Sequence, residues 1–79
     1  MTDASIHHQI NDLVEQEHKL RNALADGGTD QEREALRDVE ESLDQCWDLL
    51  RQREARRDAG TNPDEAKPRP VSEVEGYLQ

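Results

Sequence analysis

A chain of 79 residues makes one small domain at most, and a single core of that size rarely supplies more than ~3–5 kcal/mol without a disulfide, a metal or a second copy. Its one cysteine rules out an internal disulfide and a thiolate metal cluster and suits a reducing compartment, so oligomerisation is the expected extra support. The chain is 37% charged and 3% aromatic, has no Phe and carries a net charge of −9, which argues against binding nucleic acid or an anionic membrane surface. No apolar run approaches the ~18 residues of a membrane span. The start, MTDASIHHQI, lacks the basic residues and apolar stretch of a secretion signal, so a cytoplasmic protein is expected.

The first helix is predicted over residues 3–25, opened by Asp3 or Ser5, whose side chains can accept from the first free amides. Its apolar positions are Ile6, Ile10, Leu13, Leu20 and Leu24, with Val14 widening the stripe and Glu17 standing at the seam position between Leu13 and Leu20. Gly27 and Gly28 end it, since glycine takes the left-handed conformation that closes a helix. A turn over residues 26–29 follows. Thr29, with Glu32 three residues on, forms a capping-box pattern that opens a second helix over residues 30–59. The short connection makes the two helices antiparallel neighbours.

The second helix organises the rest. Leu36, Val39, Leu43, Cys46 and Leu50 follow one another at steps of three and four residues, the seam of a helix packed on another helix. Folding about the glycines sets Leu24 near Leu36, Leu20 near Val39, Glu17 near Leu43, Leu13 near Cys46 and Ile10 near Leu50. Ile6 then falls near Arg53, and the turn from Arg56 to Ala59 projects beyond its partner; arginine stems there can cover apolar surface while their heads stay wet. Gly60 and Pro63 stop the helix. Residues 1–60 are thus read as an all-α hairpin, coiled-coil-like. Val14, Trp47 and Leu49 flank its seam more widely than one partner helix can cover, so a dimer in the form of a four-helix bundle is expected. The interface expected for it is Val14, Glu17, Leu43, Cys46, Trp47, Leu49 and Leu50.

Residues 61–70 carry three prolines within eight positions and read as an extended linker. Residues 71–79 follow as an apolar anchor. Val71, Val74 and Leu78 share a face at helical spacing, with Tyr77 beside it, which suits a groove on the hairpin near Trp47 or on another protein. Residues 51–69 hold six basic and four acidic side chains, while the remainder is strongly acidic. Such a run can meet an acidic partner or can be a solvated face.

The segments LDQCWDLLRQR (Leu43–Arg53), ARR (Ala55–Arg57), RPVS (Arg69–Ser72) and VEGYLQ (Val74–Gln79) resemble a family of small actinobacterial proteins catalogued only as a domain of unknown function. The likeness covers essentially the whole chain. It implies a bacterial, cytoplasmic setting and brings no activity and no site residues.

Glu15 and His18 have the three-residue spacing of di-iron carboxylate bundles, with Glu40, Glu41 or Asp44 as completing ligands. With Leu13 and Leu20 in the core, however, both point outward, so no metal or cofactor is expected. Glu17 at the seam reads either as a buried carboxylate with a raised pKa or as a residue that turns to solvent or pairs with an arginine of a partner chain, and a polar seam residue can also fix register and oligomeric state. Cys46, beside Asp44 and Asp48, lacks the electropositive surroundings of a reactive thiolate. His7 and His8 read as exposed. Asp26, Asp30 and Glu32 make an acidic hairpin tip, the kind of tip that some transcription regulators insert into the polymerase channel; helix capping explains the same residues. The expectation is a non-enzymatic module that acts through protein–protein contact, with itself and with a further protein as partners. The alternatives are the channel-inserting regulator and a carboxylate-metal protein.

Overall fold

The computed structural model describes residues 2–70, and the expected anchor of Val71, Val74, Tyr77 and Leu78 lies outside them. Helix α1 spans Asp3–Ala25 and helix α2 spans Asp30–Asp58. A single 3-10 turn, Pro63–Glu65, follows. No strand occurs among the described residues, and none of their helices is long and apolar enough to cross a membrane.

Each helix end has a local cause. Thr2, rather than Asp3 or Ser5, caps α1: its hydroxyl accepts from the Ser5 amide at 3.1 Å, and Ser5 Oγ accepts from the Thr2 amide at 3.0 Å. Ser5 is therefore the returning half of a capping box. Thr29 and Glu32 form the same box on α2, at 3.1 and 2.9 Å. Helix α1 closes with paired bonds from the Gly27 amide to the Leu24 carbonyl and from the Gly28 amide to the Ala23 carbonyl, with Gly27 at φ +99°. That geometry needs the left-handed region, where a Cβ is strained. Gly28 is needed for another reason, because a Cβ there would lie 2.5 Å from Leu24 Cδ2. Helix α2 ends the same way, with the Gly60 and Thr61 amides on the Arg57 and Arg56 carbonyls.

The hairpin register is marked by Arg21 and Glu40, 3.1 Å apart, beside the expected pairing of Leu20 with Val39. The core comprises Ile6, Ile10, Val39, Leu43, Cys46, Leu49 and Ala66, with Leu13, Val14, Leu20 and Leu50 packed partly against it. Two of these differ from the seam drawn on sequence. Leu49 is buried and Leu50 only half-buried, so burial on α2 is rotated by one residue at this level.

The reason is the segment after α2. Residues 61–70 are not a free linker. The Gly60 turn sends the chain back antiparallel along α2, where three of its carbonyls accept hydrogen bonds from α2 side chains. Arg53 donates to the Pro63 carbonyl, Gln52 to the Lys67 carbonyl and Gln45 to the Arg69 carbonyl, at 3.2, 2.9 and 3.1 Å. This strap tucks Ala66 into the core and closes the Leu49 flank of α2, leaving Leu50 on the open flank.

Candidate interaction surface

Two ion-pair clusters lock the strap. Asp48, 1% exposed, takes a two-pronged hydrogen bond from the Arg69 guanidinium and a further one from Gln52 at 3.0 Å. Those donors hold its carboxyl below the usual carboxylate range, with the Arg69 bonds leading and burial opposing. Arg53 is also buried. It bonds Asp3 at 2.6 Å and Asp64 at 3.0 Å, and the Asp3 bond leads in raising its pKa. Asp3 is shared with Arg57 at 2.7 Å, and the two guanidinium groups, Arg57 foremost, lower its pKa to about 2. Arg57 thus reaches back to the start of α1 rather than projecting beyond it. Among the described residues every buried side-chain polar atom has a partner, the condition under which a buried charge is tolerable.

Local spacing does not reveal these clusters: in the sequence Asp48 stands out only as a negative neighbour of Cys46, and Ala66 carries no signal. One signal was available: Gln45, Asp48 and Gln52 form a polar stripe at helical spacing beside the apolar seam, facing a proline-rich stretch that carries Arg69.

The flank of the hairpin opposite the strap is open, and Trp47 stands at its middle. The indole is 47% exposed and meets His7 edge to face, with ring centres 6.4 Å apart, so His7 is not simply a solvated histidine. Trp47 forms a wall of two shallow grooves of about 390 Å³ each. One is lined by Asp3, Leu50, Arg51, Glu54 and Arg57, the other by Val14, Glu17, Arg21, Glu40, Leu43 and Asp44. Of the seven residues expected at an interface, Val14, Glu17, Leu43, Trp47 and Leu50 line this flank. Cys46 and Leu49 do not: they line a smaller groove of about 190 Å³ on the strap side with Gln9, Ser42, Gln45 and Pro68.

The remaining candidates are accounted for locally. Glu17 lies 3.5 Å from Arg21, which also bridges to Glu40, so its arginine comes from its own chain. Glu15 pairs with Lys19 at 3.9 Å, and His18 is exposed. No three metal-ligating side chains come together among the described residues. Burial raises the Cys46 pKa. At the hairpin tip, Glu32 caps α2 and Asp30 is held 2.6 Å from Arg33.

Residues 2–79 match the family described as "Protein of unknown function (DUF2630)". The chain is 50% identical over 78 residues to uncharacterized proteins of Mycobacterium bovis and Mycobacterium tuberculosis, an alignment that covers 96% of this chain and 90% of each relative. No solved structure matches.

Proposed function

The chain belongs to the DUF2630 family, and from that premise we propose that it is a non-catalytic protein–protein interaction module. Its contact surface is the Trp47 flank, its first partner is a second copy of itself, and its setting is the bacterial cytoplasm. The observation that carries this reading is the position of a half-exposed indole between two like-sized grooves, with half-buried Leu50 and Val14 to either side. A two-fold axis through Trp47 sets each groove of one copy over the other groove of its partner, the self-complementary arrangement of closed dimers. Charge is compatible with that pairing. The groove holding Arg51 and Arg57 also holds Asp3 and Glu54, so it is neutral in sum and, unlike a second acidic groove, does not repel the one holding Glu17, Glu40, Asp44 and Arg21.

The size of the term is useful. Covering the exposed half of an indole removes on the order of 100 Å² from water, worth about 2–3 kcal/mol per copy. That does not meet an association cost of ~4–15 kcal/mol by itself, so half-buried Val14 and Leu50 must be covered with it. The strongest charged groups are spent on the fold: Asp3, Asp48, Arg53 and Arg69 bond to one another and to the strap. Light scattering at micromolar concentration tests the reading. A dimer that Trp47→Ala converts to a helical monomer supports it, and a chain that stays monomeric while fully helical overturns it.

A further inference from the structure

Of the side chains that line the two grooves beside Trp47, His7 alone is of a kind that changes charge between about pH 5 and 8. Its ring is exposed and meets the indole edge to face. The charges around it are carboxylates and guanidinium groups, which are constant over that range. In its own groove Asp3 precedes it by one turn on α1, and Arg51, Glu54 and Arg57 come from α2. These offset one another, and Asp3 is bonded to Arg57 at 2.7 Å. The second groove is not balanced: Glu17, Glu40 and Asp44 stand against Arg21 alone.

The hairpin register relates the two grooves. Arg21 beside Glu40 sets Trp47 level with the stretch of α1 from Asp12 to Val14, and Val14 lines a groove with the indole. His7 lies before that level and Glu17 beyond it, each within about two turns. A two-fold axis through Trp47, set across the helices, exchanges those two sides. His7 of one copy then comes to the Glu17 end of the other, on the groove that also holds Asp44.

A proton on His7 makes a neutral groove cationic opposite an acidic one. Two effects oppose each other there. Covering an imidazolium costs solvation, and the carboxylates opposite attract it. The grooves are shallow and lined mainly by charged side chains, so water stays beside the covered ring and the attraction leads. We propose that His7 is a proton-operated contact of the Trp47 dimer, drawn when protonated to Glu17 and Asp44 of the second copy, so that the dimer tightens as the pH falls. The inference rests on the dimer reading given above and adds its regulation.

Sedimentation of the full chain at micromolar concentration, at pH 8 and at pH 6, tests this. A charge pair at a surface contact is worth a factor of roughly three, and the two-fold supplies two of them. The expected dissociation constant is therefore about tenfold lower at pH 6 than at pH 8. His7→Gln and Glu17→Gln should each lose most of that response, His8→Gln and His18→Gln should keep it, and His7→Lys should hold one constant at both pH values. A native dimer that is unchanged or weaker at pH 6 overturns the proposal, as does a His7→Gln chain that keeps the full response. A chain that is monomeric at both pH values overturns the dimer reading and this one together, whereas a dimer blind to pH overturns the switch alone.

Discussion

At the open end of the hairpin Ile6, Ile10, Cys46, Leu49 and Ala66 are all buried, whereas at the turn end Leu20, Leu24 and Leu36 are only half-buried. Both ends draw on the same two helices with equally regular apolar spacing. The open end has a third segment, the strap, and the turn end has none among the described residues. Two helices in contact hide one line of side chains from water, and a residue to either side of that line is covered only by something else. Where the strap lies, the flanking Leu49 becomes core. Where it is missing, even the seam leucines stay partly wet.

The difference can be broken most severely at Arg69. Arg69→Met leaves the Asp48 carboxylate buried without its cation. Removing one partner of a buried pair typically costs ~3–5 kcal/mol, and the lower end applies because Arg69 is itself one-third exposed. An unfolding free energy from urea titration lowered by about 3 kcal/mol is expected, and loss of burial at Leu49 should accompany it. A midpoint within error of the native value would show that the strap contributes nothing to the open end.

Acid should loosen the same end first. Asp3 titrates at about 2 in the folded chain against an ordinary 3.8, and Asp48 is also lowered. A depressed carboxyl pKa stabilises the fold above the ordinary value and loses that effect as pH falls through the folded one. Thermal stability should therefore decline between pH 4 and 2. Asp3→Asn should flatten that decline at a lower starting stability. Equal slopes for the two chains would assign the acid sensitivity elsewhere.

The smallest change belongs to the turn end. Gly27→Ala forces a left-handed residue to carry a Cβ, at about 1–2 kcal/mol. Nothing lies within 4 Å of that Cβ, so the loss should be pure backbone strain with the open end unaltered in hydrogen exchange. Faster exchange at Leu49 would mean that the two ends are not independent.

What was legible in the sequence follows the same division. The two helices, their turn and the Gly60 stop were legible because period and capping are local: Leu36, Val39, Leu43 and Cys46 announce a helix face without reference to anything distant. Leu49, Asp48, Arg53 and Ala66 were misread or missed because their environment is made by a segment 11 to 21 residues away that has no period of its own. Prolines at 63, 68 and 70 stop α2 from continuing, and Pro63 opens only the short 3-10 turn. They do not forbid packing: extended chain leaves its carbonyls unpaired, and the side chains of Gln45, Gln52 and Arg53 take up three of them. The open flank was found in part. Trp47 was marked as flanking, while its contact with His7 depends on a helix crossing that spacing alone does not fix.

The shared guanidinium of Arg53 also bears on the order in which the chain can assemble. It joins Asp64, 11 positions along, and Asp3, 50 positions back. Closing the longer loop costs about 1.4 kcal/mol more in chain entropy. Arg21 and Glu40, 19 apart, close early by comparison. Assembly is therefore favoured to zip from the glycine turn outward while α2 gathers its strap, with the Asp3 contact last. The end of the molecule that is best buried once formed is the end whose formation waits on the rest.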